Sequence, residues 1–198
     1  MPHVVVRIYD NAPGLVEFAL SHKEEIRELL NGVPGFIGWG GVKTSDTGAL
    51  SVTHCETAEG CSETTKRFAD WLPQQLHNIP APTVLSGERI YHFTANKPEA
   101  EPHVVVRIMH APPPVGLKEA VTGERMLAMP GFRSNTAVDL GDRGMTILVA
   151  DDKAASDEIR TMQADWVRTN HPDWIPSTPP DVIEGTAVVR IFATGVLV

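Results

Sequence analysis

The sequence is 198 residues long, 42% hydrophobic and 21% charged, the balance of an ordinary globular chain that can bury a core without metal or disulfide staples. Its net charge of −8, with seventeen Lys and Arg scattered rather than clustered, argues against a surface for nucleic acid or an anionic membrane, since both are polyanions. No apolar run approaches the ~20 residues of a membrane span, and no signal peptide precedes the first strand pattern, so a cytoplasmic location is the expectation.

In chain order, His3-Val4-Val5-Val6-Arg7-Ile8 reads as a strand closed by the turn cluster Asp10-Asn11-Ala12-Pro13-Gly14. Leu15, Phe18, Ala19, His22, Ile26, Leu29, Leu30 and Val33 then recur at helical spacing, with Lys23, Glu24, Glu25, Arg27 and Glu28 mostly on the other side. This predicts one helix, stopped by Asn31-Gly32 and Pro34-Gly35. A second strand begins at Phe36 and runs through Trp39 and Val42, and the Ser45-Asp46-Thr47-Gly48 turn joins it to a third, Leu50 to Glu56. Ser62 is the expected cap of a second helix with Cys61, Thr65, Phe68, Leu72 and Leu76 on one side, which Pro73 should kink or shorten. After Pro80-Ala81-Pro82, a fourth strand spans Glu88 to Phe93. The two cysteines, Cys55 and Cys61, match no metal-ligand spacing and read as free thiols.

The same plan then repeats. Pro2-His3-Val4-Val5-Val6-Arg7-Ile8 recurs without change as Pro102-His103-Val104-Val105-Val106-Arg107-Ile108. Val33-Pro34-Gly35-Phe36 matches Met129-Pro130-Gly131-Phe132, and Ala69-Asp70-Trp71 matches Ala164-Asp165-Trp166. The second half places its third strand at Met145 to Val149, its second helix around Ile159, Met162, Trp166 and Val167, and its last strand at Val188 to Phe192. The chain therefore reads as a tandem duplication of a β-α-β-β-α-β unit, residues 1–95 and 101–198, joined by a linker over Thr94 to Glu101. The expected fold is α+β: two ferredoxin-like units, each with one bare sheet face. Facing the two antiparallel sheets covers both faces and makes an intrachain α/β barrel with the helices outside.

Strand alternation sorts the candidate site residues. Val4, Val6 and Ile8 are uniformly apolar and are expected against the helices. That would turn His3, Val5, Arg7 and Tyr9 toward the facing sheet, with His103, Val105, Arg107 and Met109 in the second copy. The face holding His92 and Arg190 is the expected interior. Arginines there favour an anionic or phenolate ligand; the competing reading pairs Arg7 and Arg107 with carboxylates at the seam between sheets. His54, with Ala150 as its counterpart, and His92 are candidate general bases, because an imidazole titrates near neutrality. A structural or surface histidine is the alternative. Trp39 could stack on an aromatic substrate or serve as a core aromatic, while Trp71 and Trp166 read as packing residues and Trp174 as the anchor of a Pro-rich loop. The differences Tyr9/Met109, Trp39/Asn135, His54/Ala150 and His92/Arg190 suggest two unequal pockets, the first more polar and aromatic. Drift after fusion explains the same differences.

No GxGxxG, GxSxG or His-Glu-x-x-His motif is present. The Val-rich first strands with Arg7 and Arg107, the Pro-Gly-Phe helix endings and the paired Ala-Asp-Trp segments resemble the dimeric α/β-barrel superfamily in a tandem fused form. The nearest likeness is to its antibiotic-biosynthesis-monooxygenase-like members, and it covers almost all of the chain at the level of fold. The resemblance implies a monooxygenase-like enzyme that needs no cofactor or metal and acts on a small aromatic or polyketide-like molecule. His54 or His92 would be the base and Arg7 or Arg107 the cation that holds the anion, with Tyr9, Trp39 and Arg190 as further substrate-binding residues. The superfamily is chemically diverse. A non-catalytic small-ligand-binding or stress-related barrel and a small-lactone isomerase therefore stay open. The expected partner is a small molecule, and association of whole chains into a homo-oligomer is compatible with the sequence, which sets no stoichiometry.

Overall fold

A computed structural model describes residues 1–95, 101–121 and 123–193. The first half runs β1 (His3–Tyr9), α1 (Leu15–Ser21), α2 (Lys23–Asn31), β2 (Phe36–Lys43), β3 (Ala49–Cys55), α3 (Ala58–Gln75) and β4 (Thr83–Thr94). The second runs β5 (His103–Ile108), α4 (Leu117–Ala120), α5 (Gly123–Leu127), β6 (Phe132–Asp139), β7 (Gly144–Ala150), α6 (Lys153–Asn170) and β8 (Asp181–Phe192). All eight strands belong to one antiparallel sheet, hydrogen-bonded in the order β1-β3-β2-β8-β5-β7-β6-β4. Most of the expected linker, residues 96–100, lies outside the described residues.

The chain divides into two compact units: Met1–Glu88 with the stretch from Gly185 onward, and Arg89–Glu184. β4 and β8 are each twelve residues long, and each contributes to both units. The sequence pattern starts these strands at Glu88 and Val188, after Ser86-Gly87 and Glu184-Gly185. Both are strand residues instead. Ser86 and Gly87 sit opposite Val5 and Val4 of β1. At Gly185 an added Cβ would collide with the Lys43 carbonyl, so only glycine allows that backbone approach.

The recurring Pro-Gly-Phe has a backbone cause. Gly35 and Gly131 hold φ of 70° and 76°, the left-handed region that glycine enters without a Cβ penalty. Their carbonyls accept the N–H of Glu56 (2.8 Å) and Asp151 (2.7 Å), pinning each turn to the residue that follows β3 or β7.

The helices depart from the expected pattern. The first is broken at His22 (φ −110°, ψ 26°) rather than continuous. There the Ser21 hydroxyl reaches the Glu17 and Phe18 carbonyls at 3.0 Å, and the His22 ring stacks on Phe18 at 4.0 Å, so local side chains compete for the helical acceptors. α3 begins four residues before Ser62, because Thr57 accepts the Gly60 N–H (3.2 Å), as Asp152 accepts that of Ala155 (2.8 Å) for α6. Pro73 stands inside α3, which continues to Gln75, so the proline costs a hydrogen bond only in the closing turn.

The parity of β1 is the opposite of the one expected. Val5 shares a core with Ile26 and Leu30 of α2 and Cys61 and Phe68 of α3, and Arg7 reaches α3 directly. Val5, Arg7 and Tyr9 therefore face the helices, and Val4, Val6 and Ile8 face away. From Val4 to Tyr9 every residue is buried, so apolarity alternates with nothing and could not mark the faces. In the second unit Val105 likewise packs with Met126 and Ile159.

Candidate functional site

An apolar cavity of about 50 Å³ lies between the sheet of the first unit and its helices α1–α3. Tyr9, Phe18, Trp39, Phe68 and Trp71 give it an aromatic wall. Trp39 stacks on Phe68 with ring centroids 5.8 Å apart. The indole lies across the strand because Gly41 leaves room: a Cβ there would sit 3.0 Å from the Trp39 ring. The Trp39 Nε1–H is buried without a hydrogen-bond partner.

Beside this wall is Arg7, only 1% exposed. Its Nη1 donates to Thr53 Oγ1 (2.9 Å), and its Nη2 donates to Thr64 Oγ1 (2.9 Å) and Thr65 Oγ1 (2.6 Å). The guanidinium carbon stands 5.3 Å from the centroid of Phe68, and the cross-strand partner of Arg7 is Ser51; both residues also line the cavity. Among the described residues no carboxylate pairs with Arg7, so the expected alternative of a carboxylate seam does not describe it. Its Nε is buried and unpartnered. Burial lowers the pKa of Arg7 and raises that of Tyr9, the nearby guanidinium opposing the second shift. A cation held by neutral hydroxyls and an aromatic face is desolvated but not neutralised, and that is a stance suited to an anion. The two helical threonines are oriented for it: both hydroxyls donate to the Cys61 carbonyl (2.8 and 3.0 Å), which leaves their lone pairs to Arg7.

The expected site residues separate into groups. Arg7, Tyr9 and Trp39 come together around the first unit's cavity. His54 stands opposite Val4 and Gly38, on the sheet face away from the cavity. Its register counterpart is Val149 rather than Ala150, since Ala150 pairs with His103 as Cys55 pairs with His3. Arg190, opposite Gly40, shares that face, because its neighbours Val189 and Ile191 belong to the helix-side core. His92 belongs to the second unit; its Nδ1 lies 2.8 Å from Thr136 Oγ1. Loss of water around the ring, with Arg89 nearby, pushes its pKa down to about 4. Arg107, half-buried, has its pKa lowered by burial and then by Arg160, while burial pushes neighbouring Tyr91 up to about 12.

In the second unit the residues at the Trp39 and Phe68 positions are polar. Asn135 and Gln163, which correspond to Trp39 and Phe68, both direct side-chain amides at Met126 Sδ (3.3 and 3.1 Å). Thr53 and Thr64 were not singled out from the sequence. The available signal was a threonine at a buried position among apolar neighbours, where a hydroxyl needs a partner. Among the described residues no three His, Cys, Asp or Glu side chains gather as metal ligands, and no helix is long and apolar enough to cross a membrane.

No family model matches the chain, and no curated protein matches it either. Solved structures do. A proposed monooxygenase from Fusobacterium nucleatum superposes with a TM-score of 0.68 at 15% identity, over 96% of this chain and 94% of that one. A proposed monooxygenase from Lactobacillus acidophilus gives 0.63 at 12% identity, with 96% of each chain covered. An anthrone oxidase-like protein gives 0.58 at 17% identity, over 98% of this chain and 94% of that one. The likeness is one of fold, and it extends over nearly the full length of each partner: this chain shares the α+β architecture of these proteins.

Proposed function

We propose that the helix-side cavity of the first unit binds a small aromatic molecule of phenol type, and that the protein is a cofactor-independent monooxygenase-like enzyme acting on it. The observation that carries this reading is the buried Arg7 cation beside an aromatic wall, with three hydroxyls and no carboxylate around it. A phenolate is the electron-rich form that reacts with dioxygen, and a desolvated guanidinium stabilises that anion far better than water-exposed charge does. Tyr9 and Ser51 supply hydroxyls at the same wall. At about 50 Å³ the cavity exceeds one water's share of liquid, about 30 Å³, so a bicyclic phenol enters only as α1 and α2 move off the sheet. The break at His22 is the natural place for that movement. The names of the similar structures, monooxygenase and anthrone oxidase-like, support the same chemistry. The recurrence of Pro-His-Val-Val-Val-Arg-Ile, together with the paired left-handed glycines, supports a tandem duplication in which the first copy carries the aromatic wall.

A second reading, binding without catalysis, is favoured by the histidines: neither His54 nor His92 lines the cavity, so no imidazole base stands at it. One experiment separates the two. 1-Naphthol and anthrone are titrated against tryptophan fluorescence, and oxygen consumption is followed with the same compounds. Quenching with oxygen uptake, both lost in Arg7→Met and both kept in His54→Ala, supports the enzyme. Quenching without uptake leaves binding alone. No quenching overturns the site.

A further inference from the structure

We propose that Cys55 and Cys61 form a thiol-oxidation site, which a small peroxide closes into an intrachain disulfide. Cys55 is the last residue of β3 and Cys61 lies in the first turn of α3, with five residues between them. Both are free and belong to one core cluster at 0% and 1% exposure. Each thiol is the largest influence on the other's titration, and Cys61 Sγ is 4.0 Å from the Thr53 carbonyl. Gly60 permits this closeness: a Cβ there would stand 3.2 Å from Cys55 Cβ and 2.8 Å from the Pro34 carbonyl. The first turn of α3 therefore rests directly on Cys55.

The two thiols differ in role. Cys61, helped by the nearby Arg7 cation, lowers the pKa of Cys55, while Cys55 raises that of Cys61. The Cys55 thiolate attacks one peroxide oxygen, the O–O bond breaks, and the departing hydroxide takes a proton to leave as water. Cys61 sulfur then attacks the sulfenic sulfur of Cys55. The S–S bond forms, the S–O bond breaks, and the proton of Cys61 leaves with that hydroxyl as a second water. Two thiols are oxidised and one peroxide is reduced to two waters. Burial makes the reaction depend on transient opening of the first turn of α3, so a small oxidant is required and the rate is slow.

The second copy supplies the control substitutions. Ala150 and Ser156 occupy the corresponding positions, Ser156 at 0% exposure, so Cys55→Ala and Cys61→Ser are exchanges the fold already accommodates. Folded protein is treated with hydrogen peroxide, denatured, alkylated and weighed. The expected product is about 2 Da lighter, takes up no alkylating reagent, yields a Cys55–Cys61 linked peptide and regains both thiols with dithiothreitol. Cys61→Ser is expected to hold a sulfenic acid at Cys55 that dimedone captures, and Cys55→Ala is expected to give none. Two alkylated thiols after peroxide, a disulfide joining two chains, or equal dimedone capture in both variants would overturn the proposal.

Discussion

Arg7 is the residue on which structure and proposed ligand make different demands. If it were only a structural cation, removing it would harm the fold and nothing else. The geometry indicates otherwise, because Thr64 and Thr65 keep their hydroxyl bonds to the Cys61 carbonyl when the guanidinium is gone. Among the described residues its removal strands no carboxylate, so the large cost of breaking a buried ion pair does not arise. Arg7→Met is therefore expected to change unfolding stability by less than about 1 kcal/mol in urea titrations, while abolishing naphthol binding. Loss of several kcal/mol would assign Arg7 to structure. His92 offers a check by pH. The folded state prefers its neutral ring, so between about 6.5 and about 4 the unfolded chain binds a proton that the folded chain refuses. Stability falls as pH drops through that window and does not change above it on this account. The residue is exposed, so water screening keeps the loss near or below about 1 kcal/mol. Its ring resonances should titrate well below the ordinary histidine value, and His92→Gln should flatten that part of the acid limb. A midpoint near 6.5 would remove the basis for this. At this scale the sequence was partly legible: Arg7, Tyr9 and Trp39 were identifiable by type, whereas their side of the sheet was not, since β1 is buried on both faces.

Elements were more legible than their ends. The strands and helices follow from valine runs and helical spacing, because those patterns record burial directly. Their limits are set by interactions that the periodicity does not contain: the Thr57 cap, the Ser21 and His22 competition for carbonyls, and the pairing of Ser86-Gly87 with β1. The Pro-Gly-Phe turns join sequence to element most directly, and they can be tested as a pair. Alanine at either glycine is strained by the left-handed backbone, at about 1–2 kcal/mol. The two sites differ in what the new methyl meets: Gly35 faces Glu56 Cβ at 3.1 Å, whereas Gly131 faces Ala155 Cβ of α6 at 2.5 Å. A helix-borne Cβ cannot rotate away. Gly131→Ala should therefore destabilise more than Gly35→Ala, by about 1–3 kcal/mol of overpacking added to the backbone strain, measured as the difference between their urea midpoints. Equal midpoints would mean that α6 yields at Ala155.

For the molecule as a whole, the issue is whether the two units do the same work. The strands and long helices of the two follow the same order, while α4 and α5 are shorter than α1 and α2. Where the first unit has Trp39 stacked on Phe68, the second has Asn135 and Gln163 turned onto a methionine sulfur. Where the first has Thr64 and Thr65 under Arg7, the residues at the matching helical positions are Ile159 and Arg160, and Arg160 lowers the pKa of Arg107 instead of satisfying it. Each change removes a feature that the first unit's cavity uses: the flat aromatic wall and the hydroxyl cradle. The four tryptophans report on this without further mutation, since Trp39 and Trp71 line the cavity while Trp166 and Trp174 pack with His171 in the second unit. Protein carrying 5-fluorotryptophan gives one fluorine resonance for each. Addition of 1-naphthol is expected to shift the Trp39 and Trp71 resonances together and saturably, and to leave those of Trp166 and Trp174 in place. Arg7→Met should erase the shifts, and Met126→Ala should not create them at Trp166, because the space it vacates lies in the cluster of Val105, Phe132, Leu148 and Ile159, which holds no tryptophan. A shift confined to Trp166 would put the ligand in the second unit, against every side chain that distinguishes the two.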